Sequence, residues 1–395
     1  MQLADLFTPQ AREATPPMYG PPTADQGVPL ISLAYGLADP ALFPREELVD
    51  AAARLLAADA NAALNYGPNA PELLTLVAER LRREGVTAHE DQVLLAYGSS
   101  QVLGLLPQVL IEPGDTVIIE APTFLGAVMR FRMAGARLVG VPVDAEGLDV
   151  EALEATLREL RRAGVRPKFI YSIPTFQNPT GTTLPLSRRQ RLVALAADYG
   201  TLLVEDDAYV DLRFRGTALP PMAALDDGNW VLRVGTFSKI LAPGLRMGWA
   251  HGPKPLIERL QMFKVEGSSG PFLTRLVAAF AEGGRLDAHI AALRTHYAAK
   301  CDALAAALRR ELPGADFVVP QGGFFIWLRL PEGVRASALA PVALRHGVEF
   351  LAGTRCFADG SGDAYIRLAF SEEPVARIEE AARRLGAAVR ELQAS

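Results

Sequence analysis

The sequence predicts an α/β protein in which a large domain, with a mostly parallel seven-stranded sheet between helices, is joined to a smaller α+β domain. The chain of 395 residues is longer than the roughly 50 to 250 residues of a usual domain. Half of the residues are hydrophobic and 22% are charged, which is the balance of an ordinary globular protein. After residue 91, short β-branched runs alternate with helical segments. This alternation is typical of a parallel sheet covered by helices on both faces.

The strands of the large sheet are predicted from short runs rich in valine, isoleucine and leucine. Helical segments fit between several of these runs, for example at Glu151–Ala163 and Ser187–Tyr199. In the first of these segments Leu153, Leu157 and Leu160 are spaced for one face of a helix. The seven predicted strands are Val93–Ala96, Thr116–Glu120, Arg137–Val141, Lys168–Ile173, Thr201–Glu205, Val231–Val234 and Met247–Ala250.

The C-terminal part of the chain has a different pattern. A long helix is predicted from about Leu286 to Leu312, and a final helix over Glu373–Leu392. Between them lie short runs that favour strands, and these are Asp316–Val319, Phe324–Leu330, Val348–Leu351 and Tyr365–Phe370.

The domain boundaries follow from these changes of pattern. The first 45 residues are rich in proline and predict an irregular arm. We expect residues 1–45 to form an N-terminal arm and small-domain segment, and residues 46–290 to form the large domain. Residues 291–395 are expected to form the C-terminal small α+β domain.

Composition and charge exclude several classes of function. The net charge of −5 gives no basic surplus for binding nucleic acid. The two cysteines, Cys301 and Cys356, are too few for a disulfide framework or a four-cysteine zinc site, so a cytoplasmic location is predicted. The uncharged run Gln92–Ile111 is long enough to raise the question of a membrane span. Ser99 and Pro107 interrupt it, and a strand, a turn and a helix are predicted instead.

Familiar catalytic motifs are missing from the sequence. It contains no GxGxxG, no Walker P-loop, no GxSxG and no HExxH, which argues against dinucleotide, nucleotide triphosphate, serine hydrolase and zinc protease chemistry. The five histidines, at positions 89, 251, 289, 296 and 346, do not have the spacing of a metal site, and no metal is expected.

Polar clusters follow several of the predicted strands, at the edge where open α/β sheets bind ligands. Gly98, Ser99 and Ser100 follow the first strand and open a helix, which suits a phosphate group. A plain helix cap is the alternative. Residues 176–181, Phe-Gln-Asn-Pro-Thr-Gly, form a turn by composition, whose asparagine can point a donor into the cleft or serve the turn alone.

Two further clusters carry charges. Glu205, Asp206 and Asp207 end an apolar strand, where carboxylates need a cationic partner unless the loop is solvated. A hydroxyl-rich turn over residues 235–239 ends on Lys239, and Arg246 follows seven residues later. A surface lysine is commoner than a catalytic one, but the surrounding hydroxyls and the second cation favour a functional role.

One arginine lies on the last predicted strand. Arg367 points to the face opposite Ile366 and Leu368, and a guanidinium group is well suited to bind a carboxylate. An ordinary salt bridge is the alternative. Together the clusters supply a lysine, an isolated carboxylate, a phosphate cradle and a carboxylate clamp, which are the groups needed to bind pyridoxal 5'-phosphate and an amino acid.

The segments "FQNPTG", "VEDDAY", "GTFSKILAPGLRMGWA" and "YIRLAF" carry a family resemblance that covers the chain from about Leu33 to the C-terminus. The chain resembles the fold-type I, pyridoxal-phosphate-dependent aminotransferases of class I/II. It is most similar to the branch of 2-aminoadipate and kynurenine aminotransferases. The same module forms the catalytic half of MocR-type regulators.

The resemblance implies a role for each matched residue. Lys239 would hold the cofactor as a Schiff base and then move the substrate proton. Asp206, rather than Asp207, would pair with the pyridine nitrogen, because the family pattern Asp-x-x-Tyr ends on Tyr209. Tyr209 and Asn178 would hydrogen-bond the 3'-oxygen of the cofactor ring, and Asn178 also belongs to the substrate site.

The remaining implied roles concern the phosphate, the ring face and the substrate. Phe124 would stack on the ring, Arg367 would bind the α-carboxylate of the substrate, and Tyr66 would reach the phosphate in the partner subunit of a homodimer. Tyr35 and Gly36 would meet the substrate. The residues implied to hold the phosphate are Ser99, Ser100, Thr236, Ser238 and Arg246.

The sequence departs from the family pattern at three of these places. Ser100 stands where the family often has glutamine, and Phe124 replaces a frequent tyrosine, which keeps the stacking surface but loses a hydroxyl. Tyr35 and Gly36 stand where relatives often carry two glycines, and a tyrosine there reshapes the substrate pocket.

The resemblance implies an aminotransferase that moves an amino group from an L-amino acid to a 2-oxo acid, with 2-oxoglutarate as the expected acceptor, by ping-pong chemistry. The donor stays open among aminoadipate, aromatic, branched and other apolar amino acids. Two alternatives remain. One is a β-lyase, racemase or decarboxylase using the same cofactor, and the other is a MocR-like sensor module without turnover. No nucleic acid or membrane is expected as a partner.

Overall fold

The computed structural model describes residues 3–8, 11–12, 29–227 and 229–394. Much of the predicted proline-rich arm lies outside the described residues. Within its described part, a 3-10 helix at Leu3–Leu6, a two-residue strand β1, Ile31–Ser32, and a 3-10 turn at Pro40–Leu42 precede the first long helix.

An eight-stranded sheet forms the centre of the molecule, with strand order β2-β9-β8-β7-β6-β3-β4-β5. Neighbouring strands from β8 to β4 pair in parallel, whereas β9 is antiparallel to β2 and β8, and β5 is antiparallel to β4. All seven predicted strands lie in this sheet, and the eighth is the two-residue strand β5, too short for a sequence pattern. The strands are β2 Val93–Ala96, β3 Thr116–Ala121, β4 Arg137–Asp144, β5 Gly147–Leu148, β6 Phe169–Ser172, β7 Leu202–Asp206, β8 Val231–Thr236 and β9 Gly248–His251.

Helices pack on both faces of this sheet. Successive residues of β3 point to opposite faces of the sheet. Val117 and Ile119 belong to one hydrophobic cluster, and Ile118 belongs to another. A sheet that is buried on both faces explains why its strands read as continuous apolar runs. The helices of this part of the chain are α1 Arg45–Leu64, α2 Pro71–Arg83, α3 Ser99–Leu110, α4 Leu125–Met133, α5 Val150–Arg162, α6 Leu186–Tyr199, α7 Lys254–Phe263 and α8 Pro271–Ala281.

The uncharged run from Gln92 to Ile111 forms β2, a turn and α3, as its composition predicts. Gly98 stands at the turn with a φ of 72°, a left-handed conformation that glycine adopts without steric cost. In the described part of the chain, no helix is both long and apolar enough to cross a membrane.

A second, antiparallel sheet follows the long helix α9, Arg285–Glu311, with strand order β10-β11-β14-β13. The single predicted strand over 348–351 is divided into two, because β12 pairs with β1 whereas β13 pairs with β14. The domain boundaries stay a prediction. The elements of this part are β10 Asp316–Phe317, β11 Phe325–Arg329, α10 Ala336–Arg345, β12 Val348–Glu349, β13 Leu351–Ala352, β14 Tyr365–Ala369 and α11 Val375–Ala394.

A buried lysine on α9 ties two distant segments together. Lys300 Nζ lies 2.6 Å from Asp39 Oδ2, and it also donates to the carbonyl oxygens of Ser371 at 2.8 Å and Glu372 at 3.1 Å. Asp39 ends the N-terminal segment that crosses the site described below, and Ser371 follows β14. One ammonium group therefore fixes both segments against the same helix.

We expect Lys300→Met to lower the free energy of unfolding by about 3–5 kcal/mol at neutral pH, because it leaves the carboxylate of Asp39 buried without its main partner. Burial opposes ionisation of Asp39, but the hydrogen bonds from Lys300 and Ala41 outweigh it and lower the pKa. A lowered folded-state pKa gives stability that is present above the unfolded value and lost as the pH falls through the folded value. The difference between the two proteins should therefore narrow below about pH 4.

Urea denaturation of both proteins at several pH values measures this difference. The matched control is Lys254→Met, because the ion pair of Lys254 with Asp91 is exposed and should contribute no more than about 1 kcal/mol. A loss no larger than that of the control, or one that persists unchanged in acid, would contradict the proposed ion pair.

Candidate active site

The polar clusters of the sequence meet at one edge of the central sheet. The strands β2, β6, β7 and β8 run in the same direction, because β9 is antiparallel to both β2 and β8. Their carboxyl ends therefore face the same side, where open α/β sheets bind ligands.

Lys239 lies in the turn that follows β8, with most of its side chain enclosed. Its Nζ donates to the carbonyl oxygen of Gly36 at 2.9 Å and lies 5.9 Å from the ring centre of Tyr209. Burial, together with the positive charges of Arg367 and Arg246, lowers the pKa of Lys239 to about 8. A substantial fraction of the amine is therefore neutral near physiological pH, as a nucleophile or a proton acceptor requires.

The three consecutive acidic residues at the end of β7 have three different environments. Glu205 accepts hydrogen bonds from the backbone N–H groups of Met222 and Ala223, at 2.7 and 3.0 Å. Asp207 Oδ2 accepts from Nε of the buried Arg233 at 3.0 Å. Asp206 is the member of the three that has no cationic partner among the described ion pairs.

Asp206 is buried and only half satisfied by the protein. Its Oδ2 accepts a hydrogen bond from the Tyr171 hydroxyl at 2.6 Å, whereas Oδ1 has no hydrogen-bond partner among the residues that the structure describes. Burial raises the pKa of Asp206 to about 6. A buried carboxylate oxygen without a partner is costly, and a protonated pyridine nitrogen is a cation that would satisfy it.

A cradle of donors is built where β2, β8 and β9 lie side by side. Gly248 of β9 pairs with Ala96 and with Thr236. A Cβ atom at Gly248 would lie 2.5 Å from the backbone nitrogen of Ser99, so only glycine allows this close approach to the start of α3. The helix start and Thr236 are thus neighbours across one glycine.

A guanidinium group and a second hydroxyl complete this cradle. Arg246 has a φ of 48° and donates from Nη2 to the carbonyl oxygen of Tyr97 at 3.2 Å, next to Gly98. The hydroxyls of Thr236 and Ser238 are 3.0 Å apart. Ser100 lies in the first turn of α3. Helix-start N–H groups, hydroxyls and an arginine are a donor set that fits a phosphate dianion.

Arg367 lies on β14 of the second sheet and reaches the loop that follows β6 of the central sheet. Its Nη1 donates to Asn178 Oδ1 at 2.8 Å and its Nη2 to the carbonyl oxygen of Ala34 at 2.5 Å. Its guanidinium lies 4.1 Å above the ring of Phe325. These contacts fix the plane of the guanidinium group, which a carboxylate ligand needs for two parallel hydrogen bonds.

The other predicted site residues lie as follows. Tyr209 is buried with its ring edge-on to Phe325, at 5.6 Å between ring centres. Gly36 is so close to Phe325 that a Cβ atom would come within 2.4 Å of that ring. Tyr35 packs against the buried cluster of Ala34, Leu351 and Cys356, and Phe124 directly precedes α4. Tyr66 is fully exposed and is not brought together with the others within this chain.

Glu120 is a site-supporting residue that sequence reasoning missed. It is buried at the end of β3 and accepts hydrogen bonds from Ser172 Oγ at 2.6 Å, Ile173 N at 3.0 Å and Gln177 Nε2 at 2.9 Å. Burial raises its pKa to about 7. These bonds tie the start of the loop, and the residue just before Asn178, to one carboxylate. The signal was present in the sequence as a carboxylate at a strand end, but its partners come from another strand.

Comparison with known proteins agrees with this geometry. The family model for aminotransferase class I and II matches residues 31–385. The aromatic-amino-acid aminotransferase 1 of Thermococcus litoralis is 36% identical over 368 residues, which cover 92% of this chain and 88% of that protein.

Two solved structures are similar along most of the chain. A multiple substrate aminotransferase from Thermococcus profundus superposes with a TM-score of 0.92 at 32% identity, over 100% of both chains. The alpha-aminoadipate aminotransferase of Thermus thermophilus, complexed with N-(5'-phosphopyridoxyl)-L-leucine, has a TM-score of 0.86 at 36% identity, over 92% of this chain and 93% of that one. This chain therefore belongs to the aminotransferase class I and II family and is a fold-type I aminotransferase that uses pyridoxal 5'-phosphate.

Proposed function

We propose that this enzyme moves the amino group of an apolar or aromatic L-amino acid to a 2-oxo acid, with 2-oxoglutarate as the expected acceptor, in two half-reactions at one site. The observation that carries this proposal is that two basic side chains, Lys239 and Arg367, lie close enough together for the charge of Arg367 to lower the pKa of Lys239. The amine of Lys239 has a pKa lowered to about 8, and Arg367 is held in a fixed plane by Asn178 and Ala34.

The residues of the site divide between the parts of the cofactor. Asp206 would pair with the pyridine nitrogen, Phe124 would cover a ring face, and Asn178 and Tyr209 would meet the 3'-oxygen. When bound, pyridoxal phosphate supplies an electron sink for the bonds at the α-carbon of the substrate. The phosphate would be held by Ser99, Ser100, Thr236, Ser238 and Arg246.

Arg367 and Lys239 act on the substrate itself. Arg367 binds the α-carboxylate with its two terminal nitrogens and so orients the Cα–H bond. Lys239 Nζ would take the proton from the α-carbon in its neutral form and, in its charged form, would give it to C4′ of the bound cofactor, a transfer that a pKa near 8 favours. Arg367 and Lys239 would act in the same way in the second half-reaction, because a 2-oxo acid carries its carboxylate next to the reacting carbon, as an amino acid does.

The side chain of the donor would meet an apolar wall. Tyr35 and Trp327 both pack against a small buried cluster formed by Ala34, Leu351 and Cys356. The relatives of known name act on aromatic amino acids and on 2-aminoadipate. A wall of aromatic and aliphatic groups favours the apolar members of this range.

The visible absorbance of the purified enzyme, before and after single additions of a panel of amino acids, tests the proposal. Aromatic and branched donors should convert the cofactor to its amino form and bleach the visible absorbance band of the resting enzyme. Addition of 2-oxoglutarate should restore that band. A band that shifts with every amino acid but never bleaches would indicate a lyase, a racemase or a sensor module instead. Faster bleaching by 2-aminoadipate than by any apolar donor would overturn the proposed substrate class.

We also propose a homodimer in which Tyr66 reaches the phosphate of the partner subunit. Tyr66 is fully exposed, and Leu64 and Val265 are also largely exposed. The backbone N–H of Ser269 donates to Asn69 Oδ1 at 2.6 Å, which ties the Tyr66 loop to the segment that carries Val265. In the proposed dimer, a second copy of the chain would bury these exposed side chains.

Replacement of Tyr66 by phenylalanine should raise the dissociation constant of the cofactor by about tenfold, because a hydrogen bond to a charged phosphate would be lost. Equilibrium dialysis measures the constant, and sedimentation should show that the variant stays dimeric. The matched control is Tyr199→Phe, since Tyr199 lies under Arg161 on another face. A wild-type monomer, or a variant that retains cofactor as well as the wild type does, would refute this role.

We propose a cytoplasmic location for the enzyme as well. Cys301 and Cys356 are both free and buried, and burial raises the pKa of each thiol to about 11. Buried thiols that are not linked to each other suit a reducing compartment.

A further inference from the structure

We propose that Tyr171 is a positioning residue for the pyridine nitrogen of the cofactor. Its hydroxyl holds one oxygen of Asp206, so that the other oxygen is presented to the ring. This inference rests on the role proposed above for Asp206. Sequence reasoning gave Tyr171 no role, and the residue lies outside the polar clusters at the strand ends.

The fold gives this tyrosine almost no freedom to move. Tyr171 lies on β6 in the middle of the sheet, opposite Ile119 on one side and Val204 on the other. Its ring is fully buried and stands edge-on to Phe131, with ring centres 5.6 Å apart and an angle of 75°. Phe131 also packs edge-on against Phe169 at 5.0 Å. The hydroxyl is therefore held at one point relative to the end of β7.

The contact distinguishes the two oxygens of Asp206. Tyr171 donates to Oδ2 at 2.6 Å, and Oδ1 is left with no hydrogen-bond partner in the described part of the chain. The side chain cannot exchange its two oxygens without breaking a short, buried hydrogen bond. Oδ1 is therefore the oxygen that is available to an N–H donor of a bound group.

The direction of the hydrogen bond follows from the charges around it. Burial and the neighbouring carboxylate of Asp206 raise the pKa of Tyr171 well above its usual range, so the phenol stays protonated and donates. Burial raises the pKa of Asp206, and the hydrogen bond from Tyr171 acts in the opposite direction. The tyrosine thus favours the carboxylate form, which is the form that keeps a pyridine nitrogen protonated.

Core packing alone would not require the hydroxyl, because phenylalanine fills the same space. The test therefore compares the wild-type holoenzyme with Tyr171→Phe, each rebuilt with pyridoxal phosphate labelled with ¹⁵N in the ring. The ¹⁵N chemical shift reports protonation of the ring nitrogen. The matched control is Tyr297→Phe, which removes another buried hydroxyl whose partner is the backbone N–H of Asp39.

We expect the ring nitrogen to be protonated in the wild type and to shift toward the neutral form in Tyr171→Phe. The dissociation constant of the cofactor should rise about tenfold, and kcat should fall by a similar factor while KM for the amino acid changes by less than about twofold. In an Asp206→Asn background the same tyrosine substitution should change neither the ¹⁵N shift nor the cofactor affinity further. This double-mutant comparison separates positioning from a loss of packing, because a packing defect would persist without the carboxylate.

Three results would overturn the inference. They are an unprotonated ring nitrogen in the wild type, a ¹⁵N shift in Tyr171→Phe equal to that of the wild type and the control, and an undiminished effect in the Asp206→Asn background. Failure of the proposed reaction would look different. In that case no amino acid would bleach the wild-type cofactor, yet the ring nitrogen would still respond to Tyr171→Phe, and that response would support the positioning role.

Discussion

Replacement of Lys239 by alanine is expected to reduce transamination by at least about 10³-fold, because proton transfer by a positioned side chain alone contributes about 10² to 10⁴. The variant also loses the amine that is proposed to bind the cofactor covalently. Single-turnover conversion of the cofactor by a good donor measures the loss. The fold should be retained, because the amine of Lys239 makes one described hydrogen bond, to the carbonyl oxygen of Gly36.

A chemical test separates Lys239 from other lysines with a similar environment. Borohydride reduction fixes the cofactor on the lysine that holds it, and the modified peptide can then be identified. Lys264 is the natural control, because burial lowers its pKa to about 8 as well, while its Nζ donates to Ser269 Oγ at 2.6 Å. Label on Lys264, or substantial turnover by Lys239→Ala, would refute the assignment.

Replacement of Arg367 by alanine is expected to weaken the binding of amino acids by about 2–5 kcal/mol, the usual cost of removing one partner of a buried charge pair. This corresponds to an increase of about 30-fold to several thousand-fold in KM. Cofactor binding should change less than amino-acid binding, because Arg367 is not among the residues proposed to hold the phosphate or the pyridine nitrogen, although it also donates to Asn178. Steady-state kinetics with a donor and with 2-oxoglutarate should show the same loss for both, since both carry a carboxylate.

The control for this substitution is Arg377→Ala. Arg377 forms a partly exposed pair with Glu373 on α11 and should affect neither KM. An unchanged KM in Arg367→Ala would remove this arginine from the substrate site. A rise for the amino acid without a rise for 2-oxoglutarate would show that the two substrates bind their carboxylates differently.

The fold and the chemical class were largely predictable from the sequence. The runs of the central sheet are buried on both faces, so they read as short apolar segments separated by amphipathic helices, and seven of eight strands were found in this way. The eighth strand, Gly147–Leu148, is two residues long and has no periodicity. The segment 348–351 reads as one strand, but its two halves pair with different sheets, and a pairing partner is not written in the local pattern.

The acidic residues at the end of β7 show the same limit within the site. A family pattern selected Asp206, and composition alone could not separate it from Asp207. The structure gives the physical difference, because Asp207 faces the buried Arg233 whereas Asp206 faces Tyr171. Successive residues on a strand point to opposite faces of the sheet, so neighbours in sequence meet different surroundings.

The sequence by itself determined the α/β alternation, the turns at the strand ends and the types of chemical group placed there, because these depend on neighbouring residues along the chain. Only the tertiary structure decided the partners of those groups. Tyr171 and Asp206, Glu120 and Gln177, and Lys300 and Asp39 are 35, 57 and 261 residues apart. Buried polar groups need hydrogen-bond partners, and in these cases the fold supplies partners that are distant in sequence. The local sequence pattern therefore cannot predict which residues pair.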